Sequence, residues 1–167
     1  IAQPGGLNGV MVASPANPTG SMLDKADFKA LIDACAAHGV RLISDEIYHG
    51  ITFGKREHSA LEFTDDAIVI NSFSKYFCMT GWRLGWMVAP QNLVRPIEAL
   101  VQSFYISAPT ISQAAAIRAF DCTEELDRIV AGYARNRDIL MEALPKMGIT
   151  RFAPVDGAFY LYADVSP

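Results

Sequence analysis

The pattern that most restricts this chain is the alternation of short β-branched apolar runs with a helical stripe. Residues 10–13, 40–44 and 67–72 are apolar runs too short for a helix, which reads as buried strand. Between the first two, Asp24 stands as a candidate N-cap with Asp27 three residues on. Phe28, Leu31, Ile32 and Cys35 then recur at helical spacing, and Gly39 supplies the stop. Strands without a polar face, separated by a helix, need cover on both sides, so the expected fold class is α/β with a mostly parallel sheet. Residues 83–89 add a further expected strand, stopped by Pro90.

The last third changes character. Residues 93–105 read as a helix that Pro96 limits near its first turn. Thr110 and Gln113 form a T-x-x-Q capping box for a short Ala-rich helix. A longer helix is expected from Thr123, where Glu124 and Glu125 suit the positive helix end. Its stripe of Leu126, Ile129, Val130, Tyr133, Leu140 and Leu144 runs to Gly148. Residues 159–163 then resemble a strand behind the turn Asp156-Gly157. The shift from βα alternation to helices falls within 108–123 and divides the expected domains at 1–122 and 123–167.

Composition narrows the function classes. With 167 residues and 51% hydrophobic content the chain can bury a sizeable core. Fourteen Lys and Arg against eighteen Asp and Glu give −4, which leaves no broad basic field for nucleic acid. No apolar run approaches the ~18 residues of a membrane span, so a soluble protein is expected. Cys35, Cys78 and Cys122 lack CxxC spacing, and are expected as buried or half-buried packing residues in a reducing, cytoplasmic setting. His38 and His58 have no partners at metal-ligand spacing, and no metal is expected. Trp82 and Trp86 are expected in or near the core. Gly5-Gly6-Leu7-Asn8-Gly9 misses the dinucleotide fingerprint and precedes a strand rather than following one.

The unusual polar residues cluster behind the strands. Asn17 follows the first, Asp45 and Tyr48 the second, and Ser72, Ser74 and Lys75 the third; that carboxyl edge is where open parallel sheets bind ligands. Lys75 has a plain reading as a side chain reaching for solvent, and a functional one as a nucleophilic amine beside an anion site. Ser72 and Arg83 offer a hydroxyl and a guanidinium fork for a phosphate. Asp45 reads either as a turn former or as a buried carboxylate that needs a cation such as a protonated pyridine nitrogen. Tyr48 reads as an amphipathic core residue or as a phenol aimed at the same ring. Asn17, held between two prolines' loops, reads as a turn or as a fixed amide. His49 is set aside as a base, because Lys75 already suits proton transfer.

Ala13-Ser14-Pro15-Ala16-Asn17-Pro18-Thr19-Gly20, Ser44-Asp45-Glu46-Ile47-Tyr48, Ser72-Phe73-Ser74-Lys75 and Met79-Thr80-Gly81-Trp82-Arg83-Leu84-Gly85 resemble the class I/II aminotransferases, pyridoxal-phosphate enzymes of fold type I. Asp156-Gly157-Ala158-Phe159-Tyr160 resembles the segment that leads into the family's small α+β domain. The resemblance implies that Lys75 forms the internal aldimine and shuttles the proton, and that Asp45 pairs with the pyridinium nitrogen. It implies Tyr48 and Asn17 on the ring's 3-oxygen, Ser72 and Arg83 on the phosphate, Ser74 as a further phosphate residue, and a cis Asn17-Pro18 bond.

The implied activity is transfer of an amino group from an amino acid to a 2-oxo acid by a homodimer. A β-lyase or synthase of the same fold type is the alternative, and an inert α/β module is the third reading. The chain opens on Ile1, and the family's ring-stacking aromatic, phosphate loop and substrate-carboxylate arginine have no counterpart here. A piece of a longer enzyme is therefore expected, inactive alone and with apolar surface left uncovered.

Overall fold

The computed structural model describes residues 6–166; Ile1 and Gly5, the start of the glycine run, lie outside them. Four strands form one sheet in the order β1 (Gly9–Ala13), β2 (Arg41–Asp45), β3 (Ile68–Ser72), β4 (Gly85–Val88). The first three are parallel, with Ala13 opposite Asp45 and Asp45 opposite Ile70. The fourth runs antiparallel, Ser72 facing Gly85. The expected mostly parallel sheet is therefore present, and the parallel strands end at one edge.

Helix α1 (Lys25–Ala37) lays Phe28, Ile32 and Cys35 on the sheet against Leu42, Ala67 and Val69. Each large side chain in this layer contributes about 1.5–3 kcal/mol by leaving water, and Phe28→Ala, which also opens a cavity, is the change that damages it most. The helix stops where Gly39 takes φ +64, a conformation costly for residues with a Cβ. Asp24 stands at the N-cap but makes no side-chain cap. Its carboxylate pairs with Lys55 Nζ at 2.9 Å instead.

Three further helices follow: α2 (Gln91–Phe104), α3 (Thr110–Ala119) and α4 (Thr123–Lys146). Helix α2 starts two residues before the expected point, so Pro96 lies within the helix rather than in its first turn. The capping box at α3 does not form: Pro109 occupies the N-cap, Thr110 is already helical, and Gln113 Nε2 donates to the Ala108 carbonyl at 2.8 Å. Of the α4 stripe only Leu126 is buried.

Residues 159–163 are not a strand. Only isolated bridges, Thr52 with Gly157 and Phe152 with Ala163, occur there, because Ala158 turns the backbone to φ +59. Trp82 and Trp86 are 41% and 38% exposed: Trp82 lies in the turn before β4, and Trp86 on β4, which ends the described sheet, although its ring meets the buried Phe73 with centroids 5.1 Å apart. Cys35 is buried, but Cys78 and Cys122 are exposed, one in a turn and the other where α3 gives way to α4. No helix among the described residues is long and apolar enough to cross a membrane.

Candidate active site

The parallel register carries Ala13, Asp45 and Ser72 to one edge, and the antiparallel return of β4 brings Arg83 back to it. The loop after β1 contains two cis bonds, Ser14-Pro15 and the expected Asn17-Pro18. The turn after β2 buries Tyr48, which is 3% exposed. Its hydroxyl lies 2.7 Å from that of Tyr160. Burial pushes the Tyr48 phenol well up from its ordinary range, and the neighbouring Tyr160 and the negative charge of Asp45 add to this. Asp45 and Tyr160 thus both act on one phenol.

Lys75 sits in the turn after β3, half-buried, with Nζ 5.7 Å from the ring centroids of both Tyr48 and Phe159. Next to it Ser72 Oγ lies 3.0 Å from Ser74 Oγ and 3.1 Å from the Leu84 carbonyl, and the Ser74 N–H donates to Ser72 Oγ at 3.0 Å. The loop closes on itself: Thr80 Oγ1 donates to the Ser74 carbonyl at 2.7 Å, and Arg83 donates to the Thr80 carbonyl at 2.8 Å. Arg83 takes φ +51 and stays exposed. Two groups result, a phenol cluster around Tyr48 and Lys75 and a hydroxyl cluster at Ser72 and Ser74; Arg83 contacts Thr80 rather than the serines.

Asp45 is half-buried and accepts the Ile47 N–H at 3.2 Å. The fully buried acid is its neighbour Glu46, which sequence reasoning passed over. Phe159 and Tyr160 were also assigned no role, although the Asp156-Gly157 turn marked their segment. That segment docks on the site loops: Gly157 N–H donates to the Gly20 carbonyl at 2.9 Å and Ala158 N–H to the Ile51 carbonyl at 2.9 Å. Asp156 Oδ2 accepts the Met22 N–H at 3.1 Å. A Cβ on Gly157 would come 2.7 Å from both the Ile51 oxygen and Pro15 Cγ, so this approach requires glycine.

A family profile described as aminotransferase class I and II matches residues 2–167. The chain belongs to this aminotransferase family. It is 49% identical over 164 residues to a valine–pyruvate aminotransferase of Mycobacterium tuberculosis, covering 96% of this chain and 42% of that protein. A crystal structure of an aminotransferase from the same organism superposes with TM-score 0.92 at 48% identity, over 95% of this chain and 42% of the other. An aspartate aminotransferase from Thermus thermophilus gives 0.88 at 31% identity, over 96% and 43%. The chain therefore spans about two fifths of the length of these relatives, and its sheet is part of an aminotransferase fold of type I.

The class I and II aminotransferases use pyridoxal phosphate, and the donor set fits that group. An amine beside two aromatic rings, a buried phenol, a strand-end carboxylate, paired hydroxyls and an exposed guanidinium match an aldehyde, a hydroxypyridine and a phosphate.

Proposed function

We propose that this chain is the cofactor-holding portion of a pyridoxal-phosphate-dependent aminotransferase that moves an amino group from an amino acid to a 2-oxo acid. The observation that carries the reading is the placement of Lys75 Nζ against Tyr48, whose hydroxyl lies 2.7 Å from that of Tyr160.

When bound, pyridoxal phosphate supplies an electron-withdrawing ring that accepts the electron pair released at the substrate α-carbon. Lys75 Nζ anchors the group and, once freed, takes and returns the substrate proton. Asp45 keeps a proton on the ring nitrogen, and Tyr48 and Asn17 donate to the ring oxygen. Ser72, Ser74 and Arg83 hold the phosphate, the hydroxyls pre-ordered by their mutual hydrogen bonds.

Residues 1–122 then form part of the large cofactor domain, and residues 123–167 the connecting helix and the start of the small domain. The 167 residues alone are expected to be inert. Phe104 and Ile106 at the end of α2 are 79% and 80% exposed, which fits surface that further chain or a second subunit of a homodimer covers. Three free cysteines suit a reducing cytoplasm.

Single-turnover assays on the full-length polypeptide with a panel of amino acids test the activity. Conversion of the bound cofactor to its amine form, with release of a 2-oxo acid, supports the reading. Release of an unsaturated or cleaved product without cofactor amine formation replaces it with a lyase.

A further inference from the structure

Tyr48 must spend its single proton on the cofactor's ring oxygen if the proposed reading holds, yet in the structure that phenol already has a close partner. Two hydroxyls 2.7 Å apart share one hydrogen bond that runs in either direction. A phenol oxygen accepts two hydrogen bonds and donates one. If Tyr160 donates, the Tyr48 oxygen accepts from Tyr160 and its own proton is released for a third group. Accepting that hydrogen bond also polarises the Tyr48 O–H and makes it a stronger donor.

We propose that Tyr160 is a positioning residue that orients and strengthens Tyr48 as the hydrogen-bond donor to the cofactor's 3-oxygen. The inference rests on the reading of this site as the pyridoxal-phosphate site.

The backbone around Tyr160 supports the role. Gly157 and Asp156 both donate their N–H groups to the Gly20 carbonyl. Gly20 itself stands at φ +74, where a Cβ would come 2.9 Å from the Gly157 oxygen and 3.2 Å from the Tyr160 oxygen. The loop that bears Asn17 and the segment that bears Tyr160 are therefore locked together, and Tyr160 reaches Tyr48 from a rigid contact. The rings of Tyr48 and Tyr160 also meet edge to face, with centroids 5.7 Å apart, a contact that phenylalanine would preserve.

A donor on the ring oxygen stabilises its anion and so weakens that anion's hold on the proton of the Lys75 nitrogen. Loss of the Tyr160 hydroxyl leaves Tyr48 a weaker donor, the oxygen more basic, and the proton retained to higher pH. The test is a pH titration of the visible band of the full-length protein loaded with pyridoxal phosphate, in wild type, in Tyr160→Phe and with 3,5-difluorotyrosine at position 160. The expected result is a midpoint raised by about half a pH unit in Tyr160→Phe, the equivalent of one ordinary hydrogen bond, and lowered with the more acidic difluorophenol. Midpoints that coincide, or that move the same way in both variants, overturn the proposal while leaving the cofactor site intact. A wild type that forms no band overturns the site reading and this proposal with it.

Discussion

Glu46 Oε1 accepts the backbone N–H of Ala60 at 2.8 Å across fourteen residues of chain. The same oxygen takes the hydroxyls of Ser44 at 3.0 Å and Ser59 at 3.1 Å, and the carboxylate is 3% exposed. Its second oxygen lies 3.5 Å from His49 Nδ1, while His49 Nε2 is 3.2 Å from the Ser14 carbonyl. One buried acid thus ties the turn that bears Tyr48 to both flanking loops. Glu46→Ala strands these donors, and the expected loss is about 3 kcal/mol of unfolding free energy. Urea melts of the full-length protein measure it, and an unchanged midpoint contradicts the hub role.

Gly50 provides a second lever on the same turn. It stands at φ +87, and a Cβ there would come 2.6 Å from the Tyr76 ring. Gly54 stands at φ +80 with nothing within 4 Å. Both alanine variants carry backbone strain of about 1 kcal/mol, but only Gly50→Ala must also displace Tyr76, the residue after Lys75. Thermal melts should show a clearly larger loss for Gly50→Ala; equal losses would refute the packing argument.

The four strands and α1 were legible in the sequence because apolar runs and a helical stripe are local signals. The polar residues behind each strand were legible because parallel strands carry their ends to one edge. The contact between Tyr48 and Tyr160 was not, since it joins residues 112 apart through a segment held by isolated bridges rather than a strand. Asp24 misled because a carboxylate before a helix suits a cap and an ion pair equally, and Lys55 decides between them. Trp86 meets the buried Phe73 with centroids 5.1 Å apart, as expected near a core, yet stays 38% exposed because its strand lies at the open edge.

Burial, aided by a 2.7 Å hydrogen bond to Asp127 Oδ1, pushes the Tyr76 phenol up to about 12. The folded form then holds its proton more tightly than the unfolded chain, whose phenol titrates near ~10. This contribution to stability is complete below about pH 10 and is lost as pH rises toward 12. Tyr76→Phe removes it, so denaturant midpoints at pH 9 and pH 11 should differ less than in wild type. An unaltered difference would show that Tyr76 does not link Lys75's turn to α4 through Asp127.

Asp45 is assigned to the ring nitrogen. Asp45→Asn replaces a charged acceptor with a neutral one, and a charge-assisted hydrogen bond of about 1.5–3 kcal/mol corresponds to cofactor binding weaker by roughly tenfold or more. Proton removal from the substrate should slow with it. Equal affinity and equal single-turnover rates would remove Asp45 from that role.

Lys75 Nζ is assigned as the attachment point of the cofactor. Borohydride reduction of the full-length protein loaded with pyridoxal phosphate, followed by peptide mapping, tests it directly. The expected result is a visible band that disappears on reduction, with the label on Lys75, and no such band in Lys75→Ala. Label spread over surface lysines, or a band that persists in Lys75→Ala, would contradict it.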